Sequence, residues 1–183
     1  MSSKRLRSSD RQNQLLKMAL KAYAKLGVER AGHGDVAKLA GVSTATVFKY
    51  FPTRTALTNA VLNHIKCRIN DLFKELPSDL LSPADHITLL ANTYVQLVSE
   101  NEDLIKVYLN WTVSYGPEVR PLYLAFQENI LNFIHHRLTV DDGDRSDARL
   151  ILAAAHSYAA MKLDHTSDEI LKRFIERVRK AFL

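Results

Sequence analysis

Residues 35–51 read DVAKLAGVSTATVFKYF, and no other stretch limits the fold so tightly. Val36, Leu39 and Ala40 recur at i, i+3 and i+4, which predicts a short amphipathic helix with one apolar side. Gly41 follows at the position where a helix end calls for positive φ. Ser43 can cap a second helix by accepting a backbone N–H. Pro52 disfavours helical geometry at Phe51 and so ends that helix. Val47, Phe48 and Phe51 give the second helix an inner side. Thr44, Ala45 and Lys49, with Thr46 and Tyr50 beside them, are left for the outer side. Two short helices joined by a tight glycine turn form a helix-turn-helix, whose second helix suits the major groove of DNA.

Charge points the same way. Residues 1–66 carry 12 Lys/Arg against 3 Asp/Glu, a net +9, whereas the whole chain carries only +5. A basic first third attached to a mildly acidic remainder suggests that the first part meets a polyanion.

The rest of the 183-residue chain reads as helix, with 6 glycines and 5 prolines to interrupt it. Ser9 with Gln12, and Thr166 with Glu169, have capping-box spacing. Leu16, Ala19, Leu20, Tyr23 and Leu26 mark the buried side of a first helix ended by Gly27. Thr53 caps a long helix with a stripe of Leu57, Val61, Ile65, Ile69, Leu72 and Leu76, stopped by Pro77. Ser82-Pro83 starts another. The segment from Leu104 through Trp111 to Tyr115 is apolar around much of its surface, which predicts a central helix. The expected fold is all-α, with about nine helices and no strand. An N-terminal arm and helix-turn-helix domain (1–52) precedes a larger helical regulatory and dimerisation domain (53–183).

Several classes are disfavoured. No apolar run is long enough for a membrane span, and MSSKRLRSSDRQ lacks the apolar core of a secretory signal. The single cysteine, Cys67, allows no internal disulfide and fits a reducing cytoplasm; packing is the reading for its thiol. The seven histidines show no metal-ligand spacing, and no nucleophile elbow or phosphate loop is present. No catalytic residue, metal or cofactor is expected.

Residues 40–51, AGVSTATVFKYF, resemble the signature of TetR-family transcriptional regulators. The segments 32–54, 61–65 and 105–123 further resemble the LuxR/HapR/SmcR branch, the quorum-sensing master regulators of vibrios; Lys49 stands where that branch usually has asparagine. The resemblance implies a cytoplasmic homodimer on a near-palindromic double-stranded operator. Ser43, Thr44, Ala45, Thr46, Lys49 and Tyr50 lie where the family touches DNA, followed by Thr53 and Arg54. Lys49 can donate to guanine or to a phosphate. Arg5 and Arg7 sit at or beside the branch's minor-groove arginines, the alternative being a charged tail without a contact.

The family's second domain also implies a pocket, with Phe73, Trp111, Tyr115, Gln127 and His156 as candidates to line it around a small apolar ligand. Each of these residues also fits an ordinary core. The alanines at 153–155 and 159–160 fit either a dimer interface or packing within one chain. Three functional readings stand: a cytoplasmic dimeric regulator of the LuxR/HapR type acting on many promoters by repression and activation, a local TetR-type repressor released by a bound ligand, and a helical enzyme or ligand-binding module with an unused DNA-binding unit, against which the +9 charge on residues 1–66 argues. A small or filled pocket favours the first.

Overall fold

A computed structural model describes residues 8–77, 82–138 and 144–182. Among these the chain is all-α, with nine helices: α1 (Ser8–Leu26), α2 (His33–Ala40), α3 (Thr44–Tyr50), α4 (Arg54–Glu75), α5 (Pro83–Glu100), α6 (Glu102–Thr112), α7 (Arg120–Leu138), α8 (Ser146–Leu163) and α9 (Asp168–Lys180). Contacts group the chain into two compact units, Met1–Lys66 and Cys67–Leu183. The sequence reading assigned all of α4 to the second domain. Its first half instead packs with the first unit, because Leu57, Val61, Leu62 and Ile65 are fully buried there.

Helix ends follow local chemistry. Gly27 ends α1 at φ 86°, with its N–H bonded to the Tyr23 carbonyl at 2.9 Å. Thr53 Oγ1 accepts the Ala56 N–H at 3.0 Å and opens α4. Ser82 and Asp85 exchange side-chain and backbone bonds in a capping box, with Pro83 in the first turn of α5. The other two predicted boxes do not form. Ser9 already lies inside α1. At α9 the cap is Ser167, without a side-chain bond, and Glu169 pairs with Arg173 at 2.8 Å instead.

In the first unit the core is Leu15, Ala19, Ala22, Tyr23, Val28, Val36, Ala37, Val47 and Phe51, together with the start of α4. The buried side of α1 is thus turned from the predicted one: Leu15 and Ala22 replace Leu16, Leu20 and Leu26, which are half-buried. In the second unit α6 is the central helix, with Leu104, Ile105, Val107, Tyr108 and Trp111 all buried. It ends at Thr112, so Tyr115 lies beyond it and is 73% exposed.

Candidate functional site

Residues 33–51 fold as a helix, a left-handed glycine turn and a second helix. Gly41 adopts φ 64° and ψ 36°, the conformation a glycine takes at low cost. Its turn brings the Val42 N–H to the Ala37 carbonyl at 3.1 Å. Ser43 Oγ then accepts the Thr46 N–H at 3.2 Å and lies 2.9 Å from the Thr46 hydroxyl. Both hydroxyls are therefore engaged in starting α3.

Val47 and Phe51 form the inner side of α3. Phe48 and Leu39, expected on inner sides, are 46% and 48% exposed. The reason is that α2 is only eight residues long and buries Val36 and Ala37, so Leu39 turns outward. Phe48 is held instead by His33: their rings stack at 3.9 Å with an interplanar angle of 9°. His33 Nε2 also lies 2.7 Å from the Phe51 carbonyl oxygen. A carbonyl only accepts, so Nε2 carries the proton and donates. One buried imidazole at the start of α2 thus grips both the side and the C-terminal end of α3. Sequence reasoning missed this residue, because a histidine 18 positions from its partner leaves no periodic signal.

The outer side matches expectation in position. Ser43, Thr44, Ala45 and Lys49 are exposed, and Thr46 and Tyr50 are half-buried. Thr53 and Arg54 are exposed at the start of α4, where Thr53 is the cap. The Arg54 guanidinium donates to the Glu29 carbonyl, which ties the 27–31 turn to this edge. Tyr23 and Thr58 share a buried hydroxyl pair at 2.8 Å behind it. Burial raises the Tyr23 pKa, opposed by the Thr58 bond and the nearby Arg54 charge. Lys17, Lys21 and Lys25 are exposed along α1. Arg5 and Arg7 lie outside the described residues.

Residues 15–61 match the model of the family described as bacterial regulatory proteins, tetR family. The N-terminal region is a TetR-family domain. The chain is 37% identical over 121 residues to the HTH-type transcriptional regulator LuxR of Vibrio harveyi, a match covering 66% of this chain and 59% of that protein. A TetR-like transcriptional regulator from Rhodococcus sp. RHA1 superposes with a TM-score of 0.81 at 13% identity, over 96% of this chain and 94% of that one. The multidrug binding protein EbrR, complexed with imidazole, superposes with a TM-score of 0.66 at 18% identity, over 95% and 90% of the two chains. At these identities the two structures share the fold.

Outside the TetR-family domain, the second unit holds an apolar cavity of about 100 Å³. Phe73 and His156 line it; Trp111, Tyr115 and Gln127 do not. Trp111 is fully buried, stacks on Phe126 at 5.8 Å and donates Nε1–H to the Val119 carbonyl at 3.0 Å, so it serves the core. Tyr115 lies under the Arg120 guanidinium at the surface. Gln127 donates to the Tyr123 hydroxyl at 3.1 Å, four residues back on α7. The sequence reading missed Tyr94, Tyr108 and Arg179, which do line the cavity. Tyr108 and His156 are paired at 2.9 Å, and burial lowers the His156 pKa and raises that of Tyr108. Among the described residues no cluster of His, Cys, Asp and Glu could hold a metal, and no helix is long and apolar enough to cross a membrane. Cys67, expected to be packed, is exposed: it falls off the buried stripe of Ile65 and Ile69 on α4.

Proposed function

We propose that this chain is a sequence-specific double-stranded DNA-binding regulator of transcription that works as a homodimer, in the manner of the LuxR-type quorum-sensing regulators. The observation that carries the reading is the rigid presentation of α3. Its cap, its inner side and its His33 grip are all satisfied inside the unit, while Thr44, Ala45 and Lys49 remain exposed on a region of net charge +9. Lys49 reads a base edge, and Ala45 meets a thymine methyl. Ser43, Thr46 and Tyr50 bond sugars or phosphates beside them. Thr53 and Arg54 face a phosphate at the start of α4. Arg5 and Arg7 enter the adjacent minor groove.

Exposed Leu150 on α8 and Ile170 on α9, with exposed Ala153 and Ala160, support a second copy packing on these helices. The small cavity favours regulation without an obligatory inducer over a repressor released by a drug-sized ligand, since such ligands fill about 300–1,000 Å³.

Selection from randomised DNA, repeated at several salt concentrations, tests the reading. A near-palindromic site is expected, with Lys49→Ala altering base preference. Arg54→Ala is expected to weaken binding to all sequences and to reduce the salt slope by about one. A Lys49→Ala profile identical to the unaltered chain removes its base-reading role, and salt-insensitive or absent DNA binding removes the function.

A further inference from the structure

The turn between α1 and α2 is built more firmly than a connection requires. Gly27, at φ 86°, offers its carbonyl to the N–H groups of both Arg30 (3.3 Å) and Ala31 (3.2 Å). Val28 is 2% exposed and Ala31 0%, so both ends of the turn are pinned in the core of the first unit. Glu29 and Arg30, between them, face outward and are exposed.

The turn is also braced to both helices of the reading surface. The Arg54 guanidinium, at the start of α4, donates to the Glu29 carbonyl. His33, two residues beyond Ala31, holds Phe48 and the Phe51 carbonyl of α3. Arg30 follows Glu29 directly, and consecutive Cα atoms are about 3.8 Å apart, so its backbone lies beside the Arg54 guanidinium.

Charge says what this edge suits. The Arg30 side chain makes no hydrogen bond, ion pair or ring contact among the described residues. Glu29 is the one carboxylate on the turn. The next along the chain, Asp35, is engaged by the Gly32 N–H at 3.0 Å. A guanidinium matches a phosphate through two parallel hydrogen bonds, and such contacts fix orientation on a duplex without reading its sequence. A turn already ordered by its own backbone spends little further entropy in making one.

We propose that Arg30 binds a backbone phosphate of the DNA on the same edge as the phosphate that Arg54 faces, so that the α1–α2 turn fixes the register of α3 in the major groove. The inference rests on the DNA-binding reading and adds to it a residue that no motif or periodicity marked.

The experiment uses the intact chain and the operator obtained by selection, with affinities measured at several salt concentrations. Arg30→Gln is expected to weaken binding to operator and unrelated DNA alike, about fivefold for each protomer bound. It is also expected to reduce the salt slope by about 0.9 for each protomer. Arg30→Lys keeps the charge and should keep the slope. Lys17→Gln removes an equal charge from the exposed side of α1 and should leave the slope nearly unchanged. Arg30 is exposed and unpartnered, so all these variants should keep the thermal midpoint of the unaltered chain. Methylphosphonate replacement then neutralises one operator phosphate at a time. One position in each half-site is expected to weaken the unaltered chain and to have no further effect in Arg30→Gln. If Arg30→Gln behaves as Lys17→Gln does, or if every phosphate keeps its effect in Arg30→Gln, the proposal is overturned and the DNA-binding reading stands. An unaltered chain that binds no DNA overturns both.

Discussion

His33 is the residue on which the geometry of α3 depends most, and its contribution can be dissected. The imidazole makes one buried hydrogen bond, 2.7 Å to the Phe51 carbonyl, and one stacked contact, 3.9 Å to Phe48. His33→Phe keeps a ring against Phe48 and removes the donor. The Phe51 carbonyl then loses this partner at a buried residue, which costs about 1–3 kcal/mol. His33→Ala removes the ring as well and adds about 0.5–1.5 kcal/mol. His33→Gln can still donate and recovers part of the hydrogen-bond share.

Because α3 is only seven residues long, the loss appears first as local opening of that helix rather than as global unfolding. Amide hydrogen exchange at Val47 to Phe51 is the suitable assay. A cost of about 1–3 kcal/mol raises the open fraction there about 5- to 150-fold. Exchange in α6, in the other unit, should not change. Affinity for DNA should fall in the same order, Gln least and Ala most, in protein that remains folded by circular dichroism. If His33→Phe exchanges its α3 amides at the unaltered rate, the hydrogen-bond argument is refuted. If His33→Ala does so too, the whole grip is refuted.

Other substitutions have equally definite outcomes. Ser43→Ala removes the cap bond to the Thr46 N–H and should cost about 1 kcal/mol in chemical denaturation of the first unit. Gly41→Ala meets no atom within 4 Å, so its cost should be conformational alone, about 1–2 kcal/mol for an alanine at φ 64°. Trp111→Phe removes the 3.0 Å bond to the Val119 carbonyl, which keeps the Tyr123 N–H at 3.1 Å, so the lost bond should cost the second unit about 0.5–1.5 kcal/mol, read from its thermal midpoint. Burial holds His156 below its ordinary value of 6.5, so below that pH the unfolded chain takes up a proton that the folded chain resists. Stability should therefore fall as pH drops below 6.5, and His156→Gln should flatten that part of the profile.

What could be read from sequence was what local rules control. Gly27, Gly41, Ser43, Thr53, Ser82 and Pro83 each act on neighbours within four residues, and each sits where expected. The stripe of α4 and the central position of α6 followed from periodicity, because long helices average over many side chains. Short helices do not. In α2 and α3 a turn of one residue decides which side chain is inside, and Leu39 and Phe48 fell on the other side of that decision. The cavity was hardest to read. Trp111 and Gln127 have the chemistry of lining residues but spend it on Val119 and Tyr123, partners that only the packed helices reveal. Arg179 shares the last turn of α9 with Arg177 and Lys180, and only the burial of its Nε sets it apart from them.

On the proposed function, the economy of α3 bears on how the chain's target would change over generations. Ser43 and Thr46 hold the cap, Val47 and Phe51 fill the core, and Phe48 is committed to His33. Thr44, Ala45 and Lys49 are left exposed, with Tyr50 half-buried, and on the proposed DNA-binding reading a mutation at these positions would change operator preference without first threatening the fold. Drift in the regulated gene set should therefore be recorded at these few sites, while the residues around them stay fixed.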